Sequence, residues 1–147
     1  MSDEPAVRFA VVGADHPHLF SLVGGLLRAG GEPVAHTGDG DLVAGYEGWQ
    51  GGSRRRDLQA VLEDVDIHLV VTVGVPSERA AVAIAAIEAG KAVLSDKPGV
   101  TARAQLDAVR AALADPGARP GRPWTVLFTE RFENRAVSRA VELVRSG

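Results

Sequence analysis

Apolar residues fall along this chain in two alternating rhythms. Short, nearly unbroken apolar runs recur at Val7–Val12, Val34–Thr37, Ile67–Val73, Ala92–Ser95 and Trp124–Phe128. Runs of this kind, without polar alternation, are what a strand buried on both faces requires. Between them the apolar positions move to helical spacing. Leu19, Leu22, Val23, Leu26 and Leu27 form one such stripe, which follows Pro17 and stops at Gly30-Gly31. Leu58, Val61 and Leu62 mark a short helix, and 77–89 reads as a helix with Ser77 as its cap and an Ala/Ile/Val face. Thr101 is placed to cap a helix carrying Leu106, Val109 and Leu113, and Val137, Val141 and Val144 pattern a last one. Residues 43–56 are glycine-rich and weakly patterned, a loop or a short distorted helix, and 115–123 reads as a long turn. The strand–helix alternation predicts one α/β domain over residues 1–147: a Rossmann-like, doubly wound, mostly parallel sheet with helices on both faces.

Composition narrows the function classes without changing that picture. With 46% hydrophobic and 24% charged residues, the chain has the balance of an ordinary globular domain. A formal net charge of -3 gives no reason to expect nucleic acid or an anionic membrane as partner. The chain has no cysteine, which removes disulfides, thiolate metal sites and cysteine nucleophiles. The opening residues lack the basic and apolar regions of a secretory signal, and no apolar run approaches a membrane span, so a cytoplasmic location is expected.

Ligands of open α/β sheets bind beyond the carboxyl ends of the strands, so the residues that follow each strand carry the chemistry. After the first strand comes Gly13-Ala14-Asp15-His16-Pro17-His18, where a dinucleotide-binding domain places its glycine fingerprint. Gly13 fits the first glycine, whereas Asp15 and His18 stand at the second and third, and Asp15 adds bulk and negative charge where a pyrophosphate approaches. Either the turn still binds phosphate at the helix N-terminus, with His16 or His18 offsetting the charge, or it is a tight turn that has lost that role. Asp39, after the second strand, is placed to accept hydrogen bonds from ribose hydroxyls, which favours NAD over NADP; the alternative is a turn aspartate. Arg54-Arg55-Arg56 reads as a solvated loop run rather than a site for a 2′-phosphate. His16, His18 and His36 lie near strand ends with Asp15 close by, but the spacing is permissive, and no metal is expected. His68, at the start of its strand, reads as structural. Asp96-Lys97-Pro98 ends the fifth strand; Lys97 is a candidate acid–base group held by Asp96, or else half of a surface ion pair.

These segments together resemble the N-terminal domain of the Gfo/Idh/MocA oxidoreductases. The resemblance rests most on Glu88-Ala89-Gly90-Lys91 and Asp96-Lys97-Pro98, which are similar to that family's Glu-Lys-Pro signature. Asp39-Gly40-Asp41, the Leu58–Val73 segment, Gly74-Val75-Pro76 and Phe128-Thr129-Glu130-Arg131-Phe132 support it. The resemblance implies a domain that binds NAD, with NADP possible, through Gly13, Ala14, Asp15, His16, Asp39, Gly74, Val75 and Pro76. It also implies Lys97 beside both nicotinamide and substrate and Arg131 near the same cleft. The implied reaction is hydride transfer to or from a hydroxyl-bearing carbon of a sugar, cyclitol or related polyol, with Lys97 and Asp96 as catalytic residues. Three departures stand out: the altered glycine turn, Arg79 where a histidine is common, and an end at Gly147 where the family's second domain begins. The chain is therefore expected to bind dinucleotide at best, to be inactive alone, and to self-associate through the face a second domain would cover. The alternative is a non-catalytic, nucleotide-responsive or protein-interaction module.

Overall fold

The computed structural model describes residues 6–49, 53–115, 122–128 and 135–146. Six parallel strands form one sheet: β1 Arg8–Val12, β2 Glu32–Thr37, β3 Arg54–Arg55, β4 Leu69–Thr72, β5 Ala92–Ser95 and β6 Trp124–Val126. Their order is β3-β2-β1-β4-β5-β6, so the chain reverses direction across the sheet between β1 and β4. Among the described residues the helices are α1 His18–Arg28, α2 Val43–Trp49, α3 Leu58–Glu63, α4 Arg79–Glu88, α5 Arg103–Ala114 and α6 Arg135–Ser146. The Rossmann-like doubly wound reading is correct.

Both faces of the sheet are buried, which explains the unbroken apolar strands. Phe9, Val11, Val71 and Val73 pack on one side against Leu19, Leu22 and Val23 of α1 and Val43 and Tyr46 of α2. Ala10, Val12, Val70 and Val93 pack on the other against α3, α4 and α5. Alanines at 80, 83 and 86 let α4 lie close to the sheet. The register shifts between Phe9 and Ala10, opposite Pro33, which has no N–H to give to a ladder.

Several elements differ from the sequence reading. Within 43–56 the short-helix alternative holds over Val43–Trp49, α2, but the edge strand β3, which pairs with Ala35 and His36, was not expected. Ser77 does not cap α4: a turn closed by Glu78 N–H to Val75 C=O intervenes, and the helix begins at Arg79. Nor does Thr101 cap α5. Gln105 Oε1 reaches back to accept from the Thr101 and Ala102 N–H groups at 2.7 and 3.2 Å, the glutamine half of a capping box. The last strand stops at Val126, and α6 contributes no buried residue. Most of the 115–123 turn lies outside the described residues.

Candidate functional site

Strand register sets the level of the site. Val12 pairs with Thr37 and with Thr72, Thr72 with Ser95, and Ser95 with Val126, so the carboxyl ends line up. One more rung continues the ladder into the loops, through Gly13 N–H to Thr37 C=O, Val73 N–H to Val12 C=O and Asp96 N–H to Thr72 C=O. At this edge lies a cavity of about 390 Å³ over β1, β2 and β4, lined among others by Gly13, Gly38, Asp39, Gly74, Val75 and Val82. Gly13 adopts φ 79°, and a Cβ there would meet Gly74 Cα at 2.4 Å, so only glycine lets the two loops pack this closely.

Asp15 occupies the centre of this arrangement. A Cβ on Gly40 would lie 2.7 Å from Asp15 Oδ1, and one on Gly74 would lie 3.5 Å from Asp15 Oδ2. The carboxylate thus stands over the glycine loops, and the Asp15 N–H is already given to Val73 C=O. Asp39 sits on the outer rim, 95% exposed, and accepts a hydrogen bond from Arg55 Nη2, which also donates to Gly38 C=O at 2.8 Å. The cavity thus carries one acid at its rim, Asp39, and a second carboxylate, Asp15, over its glycine loops.

A second cluster centres on Asp96, which is fully buried at the end of β5. Its Oδ1 accepts from His18 Nδ1–H and from the Lys97 backbone N–H, both at 2.8 Å. Its Oδ2 lies 3.1 Å from Arg79 Nη2 and 3.6 Å from His16 Nδ1. Arg79, also buried, donates from Nε to Gly74 C=O at 2.8 Å and from Nη1 to Lys97 C=O at 2.6 Å. It therefore ties the loop after β4 to the loop after β5, across a cis peptide bond between Lys97 and Pro98.

Gly13, Asp15, Asp39, Gly74 and Val75 thus line one cavity. Ala14 is instead buried in the core, and His16 turns toward Asp96. Asp96 holds Lys97 through its backbone. Arg131 lies outside the described residues. His36 does not converge with His16 and His18: it is buried between Ser53 Oγ (3.0 Å) and Glu47 Oε1 (2.9 Å). His68 lies at the opposite end of the sheet, where its Nδ1 accepts from Arg8 N–H. The arginine run is partly strand rather than loop: Arg55 reaches Asp39, and Arg56 donates to Asp64 at 2.5 Å, which holds the Asp64 carboxyl below its usual range. Lys91 is buried and donates to the Asp64 and Ile67 carbonyls, a structural use of the Gly-Lys pair. Sequence reasoning missed Arg79 as the central cation; its only signal was a departure from the usual histidine.

No protein-family model and no curated protein sequence matches the chain. Among solved structures, a protein classed as an oxidoreductase from Erwinia carotovora atroseptica SCRI1043 is 30% identical with a TM-score of 0.84, over 96% of this chain and 42% of that one. An oxidoreductase domain protein from Kribbella flavida is 27% identical with a TM-score of 0.63, over 76% and 32%. Scyllo-inositol dehydrogenase from Lactobacillus casei, solved with NAD(H) and scyllo-inositol bound, shares the fold with a TM-score of 0.76 at 18% identity, over 97% and 42%. The chain spans about two fifths of the length of the first and third of these structures. The resemblance to the N-terminal domain of the Gfo/Idh/MocA oxidoreductases holds.

Proposed function

We propose that this chain, built as the N-terminal domain of a Gfo/Idh/MocA oxidoreductase, is the NAD-binding part of an enzyme that oxidises or reduces a sugar, cyclitol or related polyol. The observation that carries the reading is the cavity at the carboxyl ends of β1, β2 and β4 with Asp39 at its rim. Open α/β sheets bind dinucleotides at such a reversal of strand order. Bound there, a nicotinamide dinucleotide supplies the hydride acceptor or donor. Asp39 accepts hydrogen bonds from the ribose hydroxyls, and Gly13, Gly74 and Val75 form the floor. Lys97 donates or takes the proton at the reacting oxygen, and Asp96 fixes the Lys97 backbone through its N–H. The chain alone binds cofactor without turning over substrate.

A second reading has its own observation. Asp15 places a carboxylate over the glycine loops, and its N–H is already committed, so a module that no longer binds dinucleotide is the competing function. Thermal-shift titration with NAD⁺, NADH, NADP⁺ and NADPH, backed by calorimetry, separates the two. Ligand at a hundred times its Kd adds about 2.7 kcal/mol of stability, a rise of roughly 5–10 °C. A shift with NAD(H) supports the oxidoreductase reading; no shift with any of the four sinks it.

A further inference from the structure

We propose that His16 Nδ1, His18 Nδ1 and the Asp96 carboxylate form a three-ligand site for a divalent transition metal of the zinc class, with a coordination position left open. Among the described residues these three ligand groups lie within 4.8 Å of one another.

The argument rests on what lies between His16 and Asp96. The His18 backbone N–H donates to His16 Nδ1 at 3.2 Å, so that nitrogen presents its lone pair and carries no proton. It faces Asp96 Oδ2 across 3.6 Å. Among the described residues that oxygen has no hydrogen bond, although it is buried in an ion pair with Arg79 Nη2 at 3.1 Å. No proton therefore lies between that nitrogen and the carboxylate oxygen, and a metal bound there would take over the lone pair from the His18 N–H. The ion pair leaves that oxygen's hydrogen-bonding capacity unused, which is rare for a buried polar atom. Two ligand atoms each about 2.0–2.2 Å from a tetrahedral ion lie roughly 3.3–3.6 Å apart, the spacing found here. His18 Nδ1, on Oδ1 of the same carboxylate at 2.8 Å, becomes the third ligand when it gives up its proton.

The sequence holds the set in place. Pro17, with φ -59°, separates the two histidines at the entry to α1, and their rings meet edge-on with centroids 4.2 Å apart. Asp96 is fixed from behind by Arg79 and the Lys97 N–H. Two imidazoles and one carboxylate suit zinc, and three protein ligands with an open position is the arrangement that admits a water or a substrate oxygen. Arg79 offsets the carboxylate charge, so the expected affinity is below that of a structural zinc site.

The test uses the untagged full chain stripped with chelator. Calorimetry with Zn²⁺ should show one saturable equivalent, and Co²⁺ should give the visible absorption of a four- or five-coordinate ion. His16→Ala and His18→Ala, both at partly exposed positions, should each weaken binding at least tenfold while circular dichroism stays unchanged. Asp96→Asn should abolish it; if that variant fails to fold, the two histidine variants decide. Absence of a saturable site up to millimolar metal would overturn the proposal. Binding that is equally strong in both histidine variants would do so too, because it would place the ion elsewhere. Neither result bears on dinucleotide binding, which the same protein reports independently.

Discussion

Replacing Asp15 by asparagine tests how the altered turn meets a dinucleotide. Asparagine keeps the shape of the side chain and the backbone N–H to Val73, so the loop should hold its geometry while losing one negative charge. Asp15 Oδ2 stands within 3.5 Å of the would-be Cβ atoms of Gly13 and Gly74, over the surface a pyrophosphate would cover. Asp15 is exposed, so a high effective dielectric applies. At about 6 Å and an effective constant of roughly 40–80, a carboxylate and one phosphate charge repel by about 0.7–1.4 kcal/mol. With the second phosphate farther away, the total is about 1–2 kcal/mol. Asp15→Asn should therefore tighten NADH binding by roughly 5- to 30-fold, measured by calorimetry at low ionic strength. The gain should shrink as salt screens the charges. Unchanged or weaker binding in Asp15→Asn would refute the reasoning, because the carboxylate would then be either remote from the phosphates or part of their site.

Four further outcomes follow from the same structure. Asp39→Ala should weaken NADH several-fold and weaken NADPH less, since it also releases Arg55; equal losses for both would remove Asp39 from the ribose. Arg79→Met should cost about 3–5 kcal/mol in urea denaturation, because it leaves the Asp96 carboxylate buried without its counter-ion, and a loss under 1 kcal/mol would contradict the buried pairing. Burial pushes the Tyr46 hydroxyl above its ordinary value, and the Ser53 side chain offsets only part of this. The stability linked to Tyr46 is thus intact below about pH 10 and lost as pH rises through its higher folded value. Tyr46 is the chain's one tyrosine, so phenolate absorbance reads it directly, and a reversible titration at the ordinary value in folded protein would count against the shift. Finally, Leu143 and Val144 of α6 are 54% and 83% exposed, and sedimentation should show concentration-dependent dimers that Val144→Glu disperses. A monomer at every concentration would dismiss that surface.

The sequence made the sheet legible because both of its faces are covered. A parallel strand buried on two sides must be apolar throughout, so Phe9–Val12, Ile67–Val73 and Ala92–Ser95 stood out. Where burial is one-sided or the element is short, the signal vanished. In α2 only Val43 and Tyr46 are buried among glycines, and β3 is two exposed arginines whose strand character comes wholly from pairing with β2. The cavity residues were readable because they follow strands at fixed offsets. The Asp96 cluster was not, since it joins the β1–α1 turn, the start of α4 and the end of β5, and no sequence spacing encodes contact between loops of non-consecutive strands. His36 shows the same limit: like His18 it lies near a strand end, yet His18 meets Asp96 whereas His36 packs edge-on against Tyr46.

The sheet also carries a consequence for how this chain keeps company with copies of itself. Its outermost strands are its shortest, two residues in β3 and three in β6. A free strand edge templates the growth of ribbons from molecule to molecule, and long flat edges do so most readily. Among the described residues one border offers a pair of charged arginines and the other three residues, about 10 Å of backbone, too little to recruit a foreign strand. Short borders of this kind give open-ended sheet extension, which has no natural stopping point, little to build on.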